Sequence, residues 1–148
     1  MNHLLARNFW GVNTITNTLR GVIELKRLLI VAAGGALGAA ARYWVSGLVQ
    51  RLTESPLPLG TAAVNLSGSF LIGFIMTYGI EISTMATETR LFLVTGILGG
   101  FTTFSALSYE SLRLFQEGSL WLGFGNLALN VLAGLLAVFI GVVAARMI

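Results

Sequence analysis

Leu91-Phe92-Leu93-Val94-Thr95-Gly96-Ile97-Leu98-Gly99-Gly100-Phe101-Thr102-Thr103-Phe104-Ser105-Ala106-Leu107-Ser108-Tyr109 is a run of 19 residues without a charge. About 20 apolar residues carry a helix across a bilayer, so this stretch reads as a membrane span. At its centre lie two glycines followed by two β-branched threonines. Such residues weaken a helix at a depth where unpaired backbone groups are most costly. The stretch Gly99 to Thr103 is therefore expected to unwind midway through the membrane. A break at that depth exposes carbonyl oxygens, which are ready ligands for a hard, dehydrated cation such as Na⁺.

Three further uncharged runs flank it. Leu28 to Ala41 has 14 residues and resumes beyond Arg42 as an apolar pattern; Ser55 to Ile80 has 26 and Gly118 to Ala145 has 28. Four spans follow, near 28–49, 59–80, 91–114 and 120–145, joined by short polar connections that hold Pro56, Pro58 and Gly118. The composition agrees. Charged residues make up 10% of the 148, against about 25% in a soluble domain, and the mean hydropathy is +0.83. A cytosolic globule, a disordered chain and a nucleic-acid binder are excluded, despite a net charge of +3. The single histidine, His3, lies near the N-terminus and there is no cysteine, so multi-histidine or thiolate metal centres and histidine-based catalysis are excluded too. No nucleophile–base pair stands out. The chain is not read as an enzyme.

Residues 1–26 differ from the rest and form a separate segment from the 27–148 membrane domain. They read as a loosely ordered extension or a mis-called start, or as an amphipathic surface segment through Leu4, Leu5, Phe9, Trp10, Arg7 and Arg20. The Lys/Arg balance between the two sides of the membrane is nearly even once this segment is set aside, as expected for a chain that inserts in both orientations.

Within the spans, Gly34 and Gly38 form a small-xxx-small pair suited to close helix packing. Thr61, Asn65, Ser69 and Gly73 recur every four residues and share one helical face, and Asn126, Asn130 and Gly134 repeat the pattern in the fourth span. Amides in hydrocarbon need partners, so these faces point inward. Two roles are open to them: hydrogen-bond glue between helices, or a lane of donors along a path for a small polar solute. Arg42 is placed to snorkel toward the nearer surface. Glu110 follows the central Phe-Ser stretch, at a vestibule or beside an arginine. No carboxylate lies at mid-span.

These residues together resemble the Fluc (CrcB) fluoride channels. The likeness covers about Leu28 to Ile148. It rests on Gly34-Gly35-Ala36-Leu37-Gly38-Ala39-Ala40-Ala41-Arg42-Tyr43, on the Gly60 to Gly73 stretch around Asn65, and on Gly96-Ile97-Leu98-Gly99-Gly100-Phe101-Thr102-Thr103-Phe104-Ser105 with Glu110 beyond it. The resemblance implies an all-α membrane protein, a homodimer of two four-span subunits inserted antiparallel (dual topology), each with a broken third helix. It implies two pores that pass fluoride passively out of the cell across the plasma (inner) membrane. It also implies a structural Na⁺, not transported, at the dimer centre, held by main-chain carbonyls that correspond here to Gly99 and Thr102. Asn65 would be the pore-lining amide and Phe104 the first aromatic residue to meet the ion, with Thr61 in the same lane.

Fluoride is tightly hydrated, so a pore must replace water with donors without binding too firmly. Amide N–H, hydroxyl O–H and the positive rim of a phenyl ring meet that need. The chain departs from the family pattern twice. Leu107 stands where a second Phe is usual and is pore-lining by position alone. Asn126 and Asn130 stand where the fourth span often carries Tyr and Ser. The competing reading is a small dual-topology multidrug transporter, for which Glu110 would be the exchanging carboxylate. A third is a non-transporting assembly subunit.

Overall fold

The computed structural model describes the backbone of residues 3–148 and the side chains from Leu19 onward, Ile82 excepted. Four helices long and apolar enough to cross a membrane dominate it: Leu19–Thr53, Leu59–Glu81, Thr87–Gln116 and Leu120–Arg146. The spans expected from the charge gaps are all present; the second and fourth run one residue further and the third a few. The first extends most. It belongs to a helix assigned as His3–Thr53, which passes residues 26 and 27 without interruption. The surface-segment reading rests mainly on Leu4, Leu5, Arg7, Phe9 and Trp10, whose side chains lie outside the described residues.

Local chemistry sets the turns. Glu54, at φ 46°, ends the first helix. Gln50 then ties the connection together: its Nε2 donates to the carbonyls of Ser55 (2.9 Å) and Leu57 (3.3 Å), and its Oε1 accepts from the Gly60 N–H at 3.2 Å. Gly118, at φ 78°, makes the turn between the third and fourth spans, a backbone region that favours glycine. At the opposite end of the bundle, Lys26 meets Glu88 at 3.6 Å and Arg146 meets Glu81 at 2.9 Å. These pairs gather the first span, the connection after the second and the chain's C-terminal residues at one end, as an even number of crossings requires.

Helices pack where side chains are missing. A Cβ on Gly38 would land on the Ile97 carbonyl, and one on Gly34 or Gly100 would come within 2.5 Å of backbone of the facing helix. Gly34, Gly38, Gly96 and Gly100 thus form one seam between the first and third spans. Gly73 lies against the Val138 carbonyl and Gly141 against that of Phe70, which seals the second span to the fourth. The close approach expected of Gly34 and Gly38 is found, with the third span as their partner. Three stretches widen into π-helical turns, Thr77–Ile82, Leu91–Leu98 and Leu129–Ala133.

The third span is interrupted at Thr102 (φ −80°, ψ 157°) and Thr103 (φ −150°, ψ 117°), both extended. Gly99, at φ −63° and ψ −36°, stays helical, and Gly99–Phe101 completes a last turn before the interruption. The expectation that unwinding begins at Gly99 is corrected to the two threonines. The reason lies in replacement hydrogen bonds. Glycine has no side chain to stand in for a lost backbone partner, whereas the Thr103 hydroxyl does so: Thr103 Oγ1 accepts from the Ala106 N–H at 3.2 Å, capping the helix Phe104–Gln116, while Thr102 Oγ1 adds a second donor to the Leu98 carbonyl at 3.0 Å.

Candidate functional site

The second and fourth spans meet the third at this interruption. Asn65 binds Thr103 on both backbone faces: its Oδ1 accepts the Thr103 N–H at 2.8 Å and its Nδ2 donates to the Thr103 carbonyl at 3.1 Å. One donor and one acceptor of fixed identity therefore set the orientation of the amide. The same Nδ2 donates to Asn130 Oδ1 at 2.8 Å. Asn130 Nδ2 donates in turn to the Asn126 carbonyl (3.0 Å) and to Asn126 Oδ1 (3.1 Å), and Asn126 Nδ2 donates to Ser111 Oγ at 3.0 Å. The result is a directional ladder, Asn65 to Asn130 to Asn126 to Ser111, that joins three spans. Asn126 is 1% exposed and Ser111 2%, so the interior end of the ladder is dry and each amide there needs the partner it has.

Beside the ladder runs a groove of about 400 Å³. Asn65, Ser69, Thr102, Thr103, Phe104 and Asn130 supply its polar and aromatic lining, with Gly99 and Leu107 also on its wall. Phe104 is 77% exposed within the single chain, while Leu107 is buried at 3%. Gly99 is also exposed. Six of the eight residues singled out from sequence (Asn65, Gly99, Thr102, Phe104, Leu107 and Asn130) thus converge on one groove.

Thr61 and Asn126 do not reach it. Asn126 sits behind the groove as a rung of the ladder. Thr61 is buried a turn away, where its Oγ1 donates to Glu110 Oε1 at 2.7 Å. Glu110 therefore faces a hydroxyl, and Arg113, the nearest arginine in sequence, pairs instead with Glu117 at 2.6 Å. The second carboxylate oxygen, Glu110 Oε2, is buried without a partner among the described residues. Arg42 does not snorkel outward: it is half-buried and its Nη1 donates to the Thr102 carbonyl at 3.4 Å. That carbonyl belongs to extended backbone, so its helical partner does not compete with the guanidinium.

Three participants escape a reading of sequence alone. Ser111 is the terminal acceptor of the ladder, and its only signal is its position four residues after Leu107 on the same buried helical face. Thr103 is both a helix cap and the backbone that Asn65 holds. Gly68 lets Thr102 approach, since a Cβ there would meet Thr102 Cγ2.

Comparison with known proteins places this arrangement. The family model described as "CrcB-like protein, Camphor Resistance (CrcB)" matches residues 29–142. The chain is similar to the fluoride-specific ion channel FluC of Dehalococcoides mccartyi strain BAV1, 47% identical over 114 residues that cover 77% of this chain and 88% of the relative. It is 40% identical to the protein of that name from Geobacter sp. strain M21, over 82% of this chain and 98% of the relative. It is 42% identical to the one from Pyrococcus horikoshii, over 84% and 99%. With four membrane-length helices in the order the family motifs occupy, and an interrupted third helix braced by the second and fourth, the chain belongs to the CrcB-like family.

Proposed function

We propose that this chain is a fluoride-selective channel that lets fluoride leave the cell passively down its gradient and so lowers its cytoplasmic concentration. The observation that carries the reading is the groove at the third-span break, where amide, hydroxyl and phenyl groups from three spans converge in a chain of this family. A path that offers polar groups without a charged side chain suits an anion that must be stripped of water and then released. The site residues bind, orient and exclude water; they perform no covalent chemistry. Asn65 and Asn130 hold amide dipoles on the groove wall, Thr103 and Ser69 add hydroxyls, and Phe104 presents a ring at its open side. Leu107 contributes shape only.

Two such chains inserted antiparallel form the working unit in this reading. The groove, Phe104 and Gly99 all lie on an open side of the single chain, the side a second copy would cover. A structural Na⁺ between the two copies belongs to this reading. Gly99 and Thr102 would hold it through neutral main-chain carbonyls, a donor set suited to a hard monovalent cation, and the ion would supply positive charge that binds the two interrupted helices together. Glu110, half-buried in the third span with one oxygen unpartnered, favours a second reading, a dual-topology transporter that exchanges protons for cations.

One assay separates them. Purified protein in liposomes loaded with fluoride or chloride is followed with an anion-selective electrode. Rapid fluoride efflux, little chloride efflux and persistence after the proton gradient is collapsed are expected. Asn65→Asp places a negative charge on the groove wall and should abolish the efflux. Undiminished efflux from a correctly folded Asn65→Asp protein would refute the assignment of the groove as the path.

A further inference from the structure

In a continuous α-helix each carbonyl accepts from the N–H four residues later. The Gly99 carbonyl would accept from Thr103 N–H, and the Thr102 carbonyl from Ala106 N–H. Both donors are diverted. Thr103 N–H is taken by Asn65 Oδ1 at 2.8 Å, and Ala106 N–H by Thr103 Oγ1 at 3.2 Å. One residue earlier the helical pattern is intact, with Thr102 N–H on the Leu98 carbonyl at 3.0 Å. Of the donors displaced by the interruption, these two are the ones captured by side-chain oxygens, and the carbonyls they leave are the pair expected to hold the cation.

We infer that Asn65 and Thr103 are positioning residues for that cation site, releasing the Gly99 and Thr102 carbonyls by capturing their helical donors. The inference rests on the sodium reading above and extends it. Asn65 also fixes the direction of Thr103 by gripping its carbonyl at 3.1 Å. The amide that lines the groove and the oxygens that face the cation therefore share one peptide. A change at either should be felt at the other. Arg42 donates to the Thr102 carbonyl at 3.4 Å, so a cation would have to share that oxygen with a guanidinium or displace it, and Na⁺ binding in the test includes that competition.

The test measures thermal stability of the full-length protein in detergent while Na⁺ replaces N-methylglucamine at constant ionic strength. A ligand that binds only the folded state raises the melting temperature in a concentration-dependent way. Wild type should show such a rise. Removing one diverted hydrogen bond, in Asn65→Ala or Thr103→Val, should raise the half-saturating Na⁺ concentration by about tenfold or more. Thr103→Ser, which keeps the hydroxyl, should stay close to wild type. A merely structural role would lower the melting temperature without Na⁺ and leave the half-saturating concentration where it was; that outcome in both variants would overturn the inference while leaving the sodium reading intact. If Asn65→Ala does not fold, the Thr103→Val and Thr103→Ser pair decides. A wild-type protein indifferent to Na⁺ would overturn the sodium reading, and the inference with it.

Discussion

The seam between the first and third spans and the ladder between the second, third and fourth solve one problem in opposite ways. At Gly34, Gly38, Gly96 and Gly100 the helical backbone is complete, so helices gain by moving together until backbone touches backbone. At Thr102 and Thr103 the backbone is incomplete, and side-chain amides and hydroxyls take over its hydrogen bonds. The seam tolerates no added atom. The ladder tolerates no lost polar partner. Within one bundle, glycine marks where the protein must be dense, and asparagine marks where it must be open.

Substitutions that add bulk to the first region and remove polarity from the second test that contrast. The largest effect is expected at the seam. In Gly38→Ala the new methyl would sit on the Ile97 carbonyl, and overpacking against rigid backbone costs about 1–3 kcal/mol or more. A sharp loss of monodisperse protein on size-exclusion chromatography is expected, while Gly47→Ala, which meets nothing within 4 Å, behaves as wild type. Gly38→Ala protein of full stability would remove the seam from the account.

An intermediate effect is expected in the ladder. Asn126→Leu removes the donor to Ser111 and the side-chain acceptor of Asn130, and leaves the main-chain acceptor in place. The loss therefore falls on the side-chain bonds. Interhelical hydrogen bonds in membranes average about 0.6 kcal/mol and reach about 1.7, and a drop in melting temperature with fluoride efflux reduced but present is the expected result. The smallest effect belongs to the rim. Glu81→Gln removes the partner of Arg146, and an exposed pair of this kind contributes about 0–1 kcal/mol. Melting temperature and efflux should both stay near wild type.

The fold was legible in sequence because hydrocarbon imposes few alternatives. Charges mark the rims, and stretches of 26 and 28 residues without one can only be spans. The amide face was legible for a related reason: Asn65 and Asn130 must find partners, and they found each other. The position of the break was not legible to the residue. Low helix propensity pointed to the whole Gly99–Thr103 stretch, but that scale is measured where water can satisfy a freed backbone group. In the membrane a helix opens where neighbouring side chains can replace its bonds, and Thr103, with Asn65 opposite, provides that. Thr61 was assigned to the lane because it shares a face with Asn65, yet its hydroxyl is bound to Glu110, a residue from another span that no periodicity connects to it. The direction of Arg42 escaped for the same reason, since its acceptor exists only once the third span is interrupted.

The fixed sense of the ladder bears on bioenergetics. Thr103 dictates which end of the Asn65 amide is oxygen, Asn65 dictates it for Asn130, and Asn130 in turn meets Asn126. No rung titrates near neutral pH, and an amide cannot hand on a hydrogen without abandoning its own. The row therefore makes no wire for hydronium or hydroxide, and an anion route laid beside it carries its charge without a proton relay.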